Sequence, residues 1–239
     1  MKNNNGMFIL NKPIGITSNS ILKKMSNIFL SKKIGHCGNL DIIATGLLPI
    51  SFGQFNQFNK YINNSNKQYI IILAFYYRTE TSDVNSNFIS SKINKIYVNK
   101  NNLLYNIYKM QGLSYQKPHI FSAVKYKNKN LYEYTKYGIK LKKKKKYIYL
   151  NKIKIINDKI IKISCTKGTY IRSIIDYLGQ KTKYKAFILL LHRINIGPFS
   201  INNSIKLEDL LYLRFNNLKT LNTIKNYILY KNNNKCINN

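Results

Sequence analysis

The apolar positions of this 239-residue chain fall into short runs with changing period. MFIL (7–10) reads as a strand that leads into the turn NKPIGITSN (11–19). Ile21, Leu22, Met25, Ile28 and Phe29 then share one helical face, with Thr17, Ser18 and Asn19 available as N-caps. The following segment, GHCGNLDIIATGLLPISFG (35–53), is too broken for a helix and too rich in small residues for an ordinary strand. The pattern predicts strands over 68–77, 147–156, 159–165 and 187–191, and helices over 101–110, 169–179 and 206–213. In the second of these helices Ile171, Ile174, Ile175 and Leu178 form the apolar face. Strands and helices interleave without a regular βαβ rhythm, so the expected class is mixed α+β. A frayed tail is expected at 231–239, and no internal repeat is visible.

Charge adds a partner to this picture. Lys and Arg number 40 against 8 Asp and Glu, a formal net charge of +32. Hydrophobic residues make up 44% of the chain, enough to build a core, so the charge is carried by a folded domain. The excess disfavours an extracellular hydrolase of neutral sugars or a membrane transporter, and favours a polyanion, nucleic acid first. Part of it is compositional: the chain is saturated with Asn, Lys, Ile and Tyr, as AT-rich codons impose, and only Arg78, Arg172, Arg193 and Arg214 are Arg. An Arg kept against that drift marks a need for a planar, bidentate cation. The Lys-rich run 142–146 reads either as solvated loop or as a phosphate-contacting arm.

The scattered Cys37, Cys165 and Cys236 lack the spacing of a disulfide framework or a thiolate zinc site, and fit a reducing cytoplasm. His36, His119 and His192 give no helical pair, so no metal is expected. The longest apolar runs fall short of the ~20 residues of a membrane span, and the N-terminus lacks a signal-peptide pattern.

Among the eight carboxylates Asp41 is singular, set in a Gly-punctuated, weakly polar segment. It reads either as a turn residue bonding its own backbone or as a carboxylate on the floor of a cleft. A buried anion there would need a cation. Arg172, in KGTYIRS, is the leading candidate, with an i,i+4 surface pair to Asp176 as the alternative use of that Arg.

GHCGNLDIIATGLLPI (35–50) resembles the catalytic loop of the TruB-type tRNA pseudouridine synthases, of the form G-H-x-G-x-L-D-P-x-A-T-G-x-L-P. LNKPIGITSN (10–19), KQYIIILAFYYRTETSD (67–83), PHIFSAVKYKNKNLYEYTKYGI (118–139) and CTKGTYIRSIIDYLG (165–179) are similar to further motifs of that family, in its order. The resemblance covers residues 10 to about 200. It implies a pseudouridine synthase catalytic fold: a mixed, mostly antiparallel sheet with flanking helices and a basic insertion arm at about 116–146. It also implies isomerisation of the uridine at position 55 in the TΨC arm of tRNA, without metal or cofactor. Asp41 would be the essential carboxylate, acting as nucleophile at the ribose C1′ or as the base of a glycal route. Arg172 would pair with it, and Tyr69 would stack on the target base and serve proton transfer at C5. Tyr170 and Leu191 would line the base pocket, His36 would fill the stack left by the flipped uridine, and Asp83 would lie near the pocket.

The chain departs from the family pattern at Ile42, where a Pro usually follows the catalytic Asp, so a less rigid loop is expected. Asn39, in place of a smaller residue, adds to that expectation, whereas Glu80 and Phe121 are mild changes. Bacterial members commonly continue into an RNA-binding PUA domain; here a single catalytic domain (1–230) without one is expected, drawing its RNA affinity from its own surface. A monomer is expected. The rivals are a non-catalytic RNA-binding or tRNA-chaperone protein on the same fold, and a guide-directed synthase that the missing PUA domain argues against.

Overall fold

The computed structural model describes residues 5–89, 99–116, 125–126, 129–130, 134 and 145–216. Most of the expected arm (116–146) and the tail (231–239) lie outside the described residues. In chain order the first elements are β1 (Gly6–Lys12), α1 (Ser18–Phe29), β2 (Ile34–His36), β3 (Ala44–Phe52), a 3-10 helix (Gly53–Phe58) and α2 (Asn59–Asn64). Then come β4 (Lys67–Phe75), β5 (Arg78–Thr79), β6 (Phe88–Ile89), α3 (Lys100–Lys109), β7 (Gly112–Gln116), β8 (Lys125–Tyr126), β9 (Lys129–Asn130), β10 (Lys146–Ile155) and β11 (Ile160–Cys165). The chain continues with α4 (Ile171–Thr182), β12 (Ala186–Ile196), β13 (Phe199–Ser200), β14 (Ile205–Lys206) and α5 (Leu207–Asn216). Two compact units result: Met1–Lys67 with His192–Asn239, and Gln68–Leu191.

In the first unit the strand order is β14-β1-β3-β12, with β2 beside β3 and β13 beside β12. β1 and β3 pair antiparallel from Gly6↔Phe52 to Lys12↔Gly46, whereas β1 and β14 run parallel. β1 is buried on both faces, which explains its unbroken apolar run. Phe8 stacks at 5.7 Å on Phe52 and meets Phe29 of α1 at 5.5 Å, while Met7 and Ile9 join Leu47 and Ile196 in a core cluster on the opposite face. α1 forms where its pattern predicts: Thr17 caps it by accepting from the Ser20 N–H, and Ile21, Met25, Ile28 and Phe29 are buried. The Gly-punctuated segment, in contrast, contains β3, a strand of nine residues that is buried almost throughout. Its Gly46 makes room for the backbone of Arg193 rather than breaking the strand.

The second unit is ordered β12-β4-β11-β10-β7. β4 alternates, burying Tyr69, Ile71, Leu73 and Phe75. The edge strand β7, which the apolar pattern does not show, pairs antiparallel with β10. α4 buries its predicted face (Ile171, Ile174, Ile175, Leu178) and runs three residues beyond the expected end, with Lys183 as a left-handed C-cap. β12 is likewise longer than 187–191, and Leu189 within that run is 43% exposed, so the run is not a fully buried strand.

Where α4 passes β12, Gly179 has no room for a side chain: an added Cβ would lie 2.4 Å from the Ala186 nitrogen. Gly179→Ala is therefore expected to lower unfolding free energy by about 2–4 kcal/mol, well beyond an exposed helical Gly→Ala change, which stabilises. Urea denaturation checks this; a neutral or stabilising result would contradict the close approach.

Candidate active site

Asp41 sits on a short connection between β2 and β3 of the first unit, half-buried, and the Ala44 N–H donates to its carbonyl at 3.0 Å to close a tight turn. The residues around it are fixed from outside. The Ser18 hydroxyl, at the start of α1, accepts from the Leu40 N–H at 3.1 Å and reaches the Leu40 carbonyl at 3.3 Å. The Gly15 N–H donates to the Ile42 carbonyl at 2.9 Å, and the Lys12 ammonium approaches the same oxygen at 3.5 Å. Ile42 lacks the φ lock of a Pro, yet its carbonyl is held from two sides. The less rigid loop expected from Ile42 thus meets direct anchoring by the K-P-x-G-x-T-S segment.

Two buried cations support this loop, and the sequence assigned neither a role. Arg193 on β12 is fully buried; its Nε donates to the Leu47 carbonyl at 2.8 Å and its Nη2 to the Gly38 carbonyl at 2.9 Å. Gly46 and Gly38 make the room. Gly46 has φ +101°, and a Cβ there would stand 2.4 Å from the Arg193 carbonyl oxygen; Gly38 has φ +78°, with a Cβ position 3.2 Å from Nη1. Lys12, also fully buried, donates to the carbonyls of Ile16 at 2.8 Å and Pro13 at 2.9 Å. Burial pushes its pKa down to about 8, the Asp41 carboxylate pulling it up in part and Arg193 lowering it further. The retention of Arg193 in a Lys-rich chain was the available signal.

His36 ends β2, and its ring is pushed below the ordinary imidazole range by burial first and by Arg193 second, so it is neutral at pH 7. Beside it the buried Cys37 thiol donates to Asn59 Oδ1 at 2.8 Å, and burial raises its pKa to about 12, which makes it inert.

The second unit holds the remaining expected residues. Arg172, in the first turn of α4, is buried and pairs through Nη1 with Asp83 Oδ2 at 3.4 Å. Asp83 is itself fixed, its Oδ1 accepting from the Thr81 hydroxyl at 2.6 Å and the Asn85 N–H at 3.0 Å. A cation at a helix N-terminus opposes the helix dipole, and the Asp83 carboxylate offsets that. Asp176, the alternative partner of Arg172, accepts a bidentate contact from Arg78 at 2.8 and 3.2 Å, and Arg172 itself is buried. Tyr170 is the N-cap residue of α4, and Gln116 clamps its backbone from both sides, donating to its carbonyl and accepting from its N–H, each at 2.7 Å. Tyr69 on β4 and Leu191 on β12 are both buried. Asp41 and His36 thus belong to the first unit, and Tyr69, Asp83, Tyr170, Arg172 and Leu191 to the second.

A half-buried carboxylate on a pinned loop suits carboxylate chemistry on a bound substrate, and known proteins share the motif that carries it. The family model for the N-terminal domain of TruB family pseudouridylate synthases matches residues 26–171. The chain is 36% identical over 213 residues to the tRNA pseudouridine synthase B of Photobacterium profundum, covering 87% of this chain and 67% of that protein. It is 38% identical over 213 residues to the corresponding protein of Buchnera aphidicola, covering 87% and 68%. The protein of Wigglesworthia glossinidia brevipalpis matches at 37% over 227 residues, 92% and 69%. The chain belongs to the TruB family of pseudouridylate synthases, an isomerase family. Among solved structures it shares the fold of a chain in the Cbf5-Nop10-Gar1 complex, with TM-score 0.68 and 20% identity over 89% of this chain. An H/ACA ribonucleoprotein bound to a substrate RNA containing 2′-deoxyuridine gives 0.65 and 18% over 89%. This chain spans 55% and 54% of the length of those two.

Two outcomes test the loop supports. Gly46→Ala should cost more than about 3 kcal/mol or prevent folding, because both the positive φ and the Arg193 backbone oppose a side chain; a soluble variant with wild-type urea midpoint would contradict it. For Lys12, the folded pKa lies below the 10.5 of the free side chain. Between about pH 8 and 10.5 the unfolded chain holds a proton that the folded chain has lost, so stability rises across that window; below it the charged, buried form bears its full desolvation cost. The unfolding free energy of wild type minus that of Lys12→Met should grow by up to about 3 kcal/mol from pH 8 to 10.5. A flat difference would show that the ammonium is solvated.

Proposed function

We propose that the chain isomerises a uridine of tRNA to pseudouridine, at position 55 in the TΨC arm, with Asp41 as the essential carboxylate. The observation that carries this reading is the anchoring of the Asp41 loop by Ser18, Gly15, Lys12 and Arg193, which fixes a carboxylate where a flexible turn would let it wander. In the reaction the bond between uracil N1 and ribose C1′ breaks, the base rotates, C1′ bonds to C5, and the proton lost from C5 is matched by one gained at N1. Atoms and electrons balance within the substrate, so side chains suffice for this chemistry. Asp41 attacks C1′ or takes the proton that opens a glycal route. The family motifs assign Arg172 as the cation that keeps the reacting carboxylate ionised, and Tyr69 to stacking and the C5 proton. By resemblance Tyr170 and Leu191 line the base pocket, and Asp83, expected near it, holds Arg172. A neutral His36 ring suits the stack vacated by the flipped base better than an imidazolium would. The proposed setting is a cytoplasmic monomer; the scattered spacing of Cys37, Cys165 and Cys236, unlike a disulfide framework, accords with a reducing compartment.

The test is release of tritium from an unmodified tRNA transcript labelled at uridine C5. Wild type should release label from a single site. Asp41→Asn should lose more than about 1,000-fold in rate, about 4 kcal/mol of transition-state stabilisation, while still binding tRNA. Stoichiometric binding by wild type without release would favour the non-catalytic RNA-binding reading.

A further inference from the structure

The second unit contains a cleft of about 740 Å3 between α3, α4 and the β7–β10 edge. Its α4 wall runs from Ser173, one residue beyond Arg172, to Lys181 near the far end of the helix. None of Asp41, Tyr69, Arg172 or Leu191 lines it. Two of its charges cancel: Asp176 takes both nitrogens of Arg78 and a third hydrogen bond from Gln180 at 2.8 Å. Among the remaining lining residues, that leaves the ammonium groups of Lys109, Lys145 and Lys181 facing a single carboxylate, Glu80, with all four side chains on exposed positions.

Aromatic rings share this mouth with the cations. Tyr115 is 59% exposed and its ring centroid lies 4.2 Å from that of Tyr147 across the β7–β10 pair, the two hydroxyls hydrogen-bonded to each other. Tyr177 is 48% exposed, with Lys181 Nζ 5.5 Å from its ring centroid. Exposed flat rings interleaved with ammonium groups are what single-stranded nucleic acid needs: bases stack on the rings and phosphates meet the cations. A small metabolite would instead be met by an enclosed, mostly apolar pocket with a few convergent polar groups.

We propose that this cleft is a track for single-stranded RNA, taking phosphates on Lys109, Lys145 and Lys181 and bases on Tyr115 and Tyr177. The proposal rests on the proposed function for its ligand class, RNA, and is independent of the isomerisation chemistry. Lys145 belongs to the Lys142–Lys146 run, which assigns at least that lysine to RNA contact rather than to a merely solvated loop.

Fluorescence anisotropy with a labelled oligouridylate, and with an unmodified tRNA transcript, reads the cleft directly. Lys109→Gln/Lys145→Gln/Lys181→Gln should flatten the slope of log affinity on log salt for the oligouridylate by about 0.7 for each lysine that no longer neutralises a phosphate, about 2 in all. Tyr115→Ala/Tyr177→Ala should weaken oligouridylate binding about 5- to 100-fold per stacked base with the slope unchanged, and should leave binding of polyglutamate, which has no bases, unaltered. In wild type, 4-thiouridine in the probe should cross-link to Tyr115 or Tyr177. Wild-type affinity and slope in both variants would overturn the proposal, and so would an equal loss of polyglutamate binding in the Tyr variant, which would mark an acidic-protein site. These binding readouts remain interpretable if wild type fails to release tritium from labelled tRNA, a result that would remove the proposed reaction alone.

Discussion

The geometry of the first unit hangs on one buried guanidinium. Arg193 reaches the carbonyls of Gly38 and Leu47 at once, tying the segment that carries Asp41 to the strand that follows it. The two oxygens belong to residues flanking Asp41, so the clamp sets where that loop leaves β2 and where it enters β3. A guanidinium does this because its N–H donors are fixed in a planar fork. A lysine at that position would have to reach both carbonyls from a single nitrogen, and a carbonyl it missed would be buried without a donor, at about 1–3 kcal/mol. The strand accommodates the clamp by bringing Gly46 against the Arg193 backbone, so the clamp and the glycine depend on each other.

Electrostatics follow from that choice. A buried cation beside the loop depresses the proton affinity of its neighbours, and Lys12 and His36 both register Arg193 in this way. Lys12 nevertheless stays charged near neutral pH, since its lowered pKa is about 8. Asp41 therefore sits in a field made positive by groups of its own unit. Both cations are themselves held by backbone carbonyls, so the positive field around the loop is fixed in place.

Elements governed by local pattern were legible in the sequence. The face and N-cap of α1, the apolar stripe of α4 and the alternation of β4 all follow from residue spacing, and the structure repeats them nearly residue for residue. Asp41 and Arg172 stood out because acids and arginines are rare here. The failures have a common cause, which is that their explanation lies in a distant neighbour. β3 was unreadable as a strand because Gly46 answers to Arg193, far along the chain. β7 reads as GLSYQ, an edge strand whose exposed Leu113 and Tyr115 obscure any buried period. Gln116 clamps Tyr170 across 54 positions of sequence, a contact that no local window contains.

Codon drift toward Lys has a structural limit, and the described arginines mark it. Arg78 grips Asp176 with two nitrogens, Arg172 pairs with a buried carboxylate, and Arg193 spans two carbonyls. Each task needs donors in a fixed plane. Lys12 shows the converse: its ammonium meets oxygens of Pro13, Ile16 and Ile42 that surround it, an arrangement suited to a compact charge. The net charge of +32 is thus two populations. A few buried cations hold the Asp41 loop and cannot be exchanged freely, whereas the exposed lysines are interchangeable point charges. Only the second population is free to drift in number, and its drift moves in the direction that a phosphate-rich partner rewards.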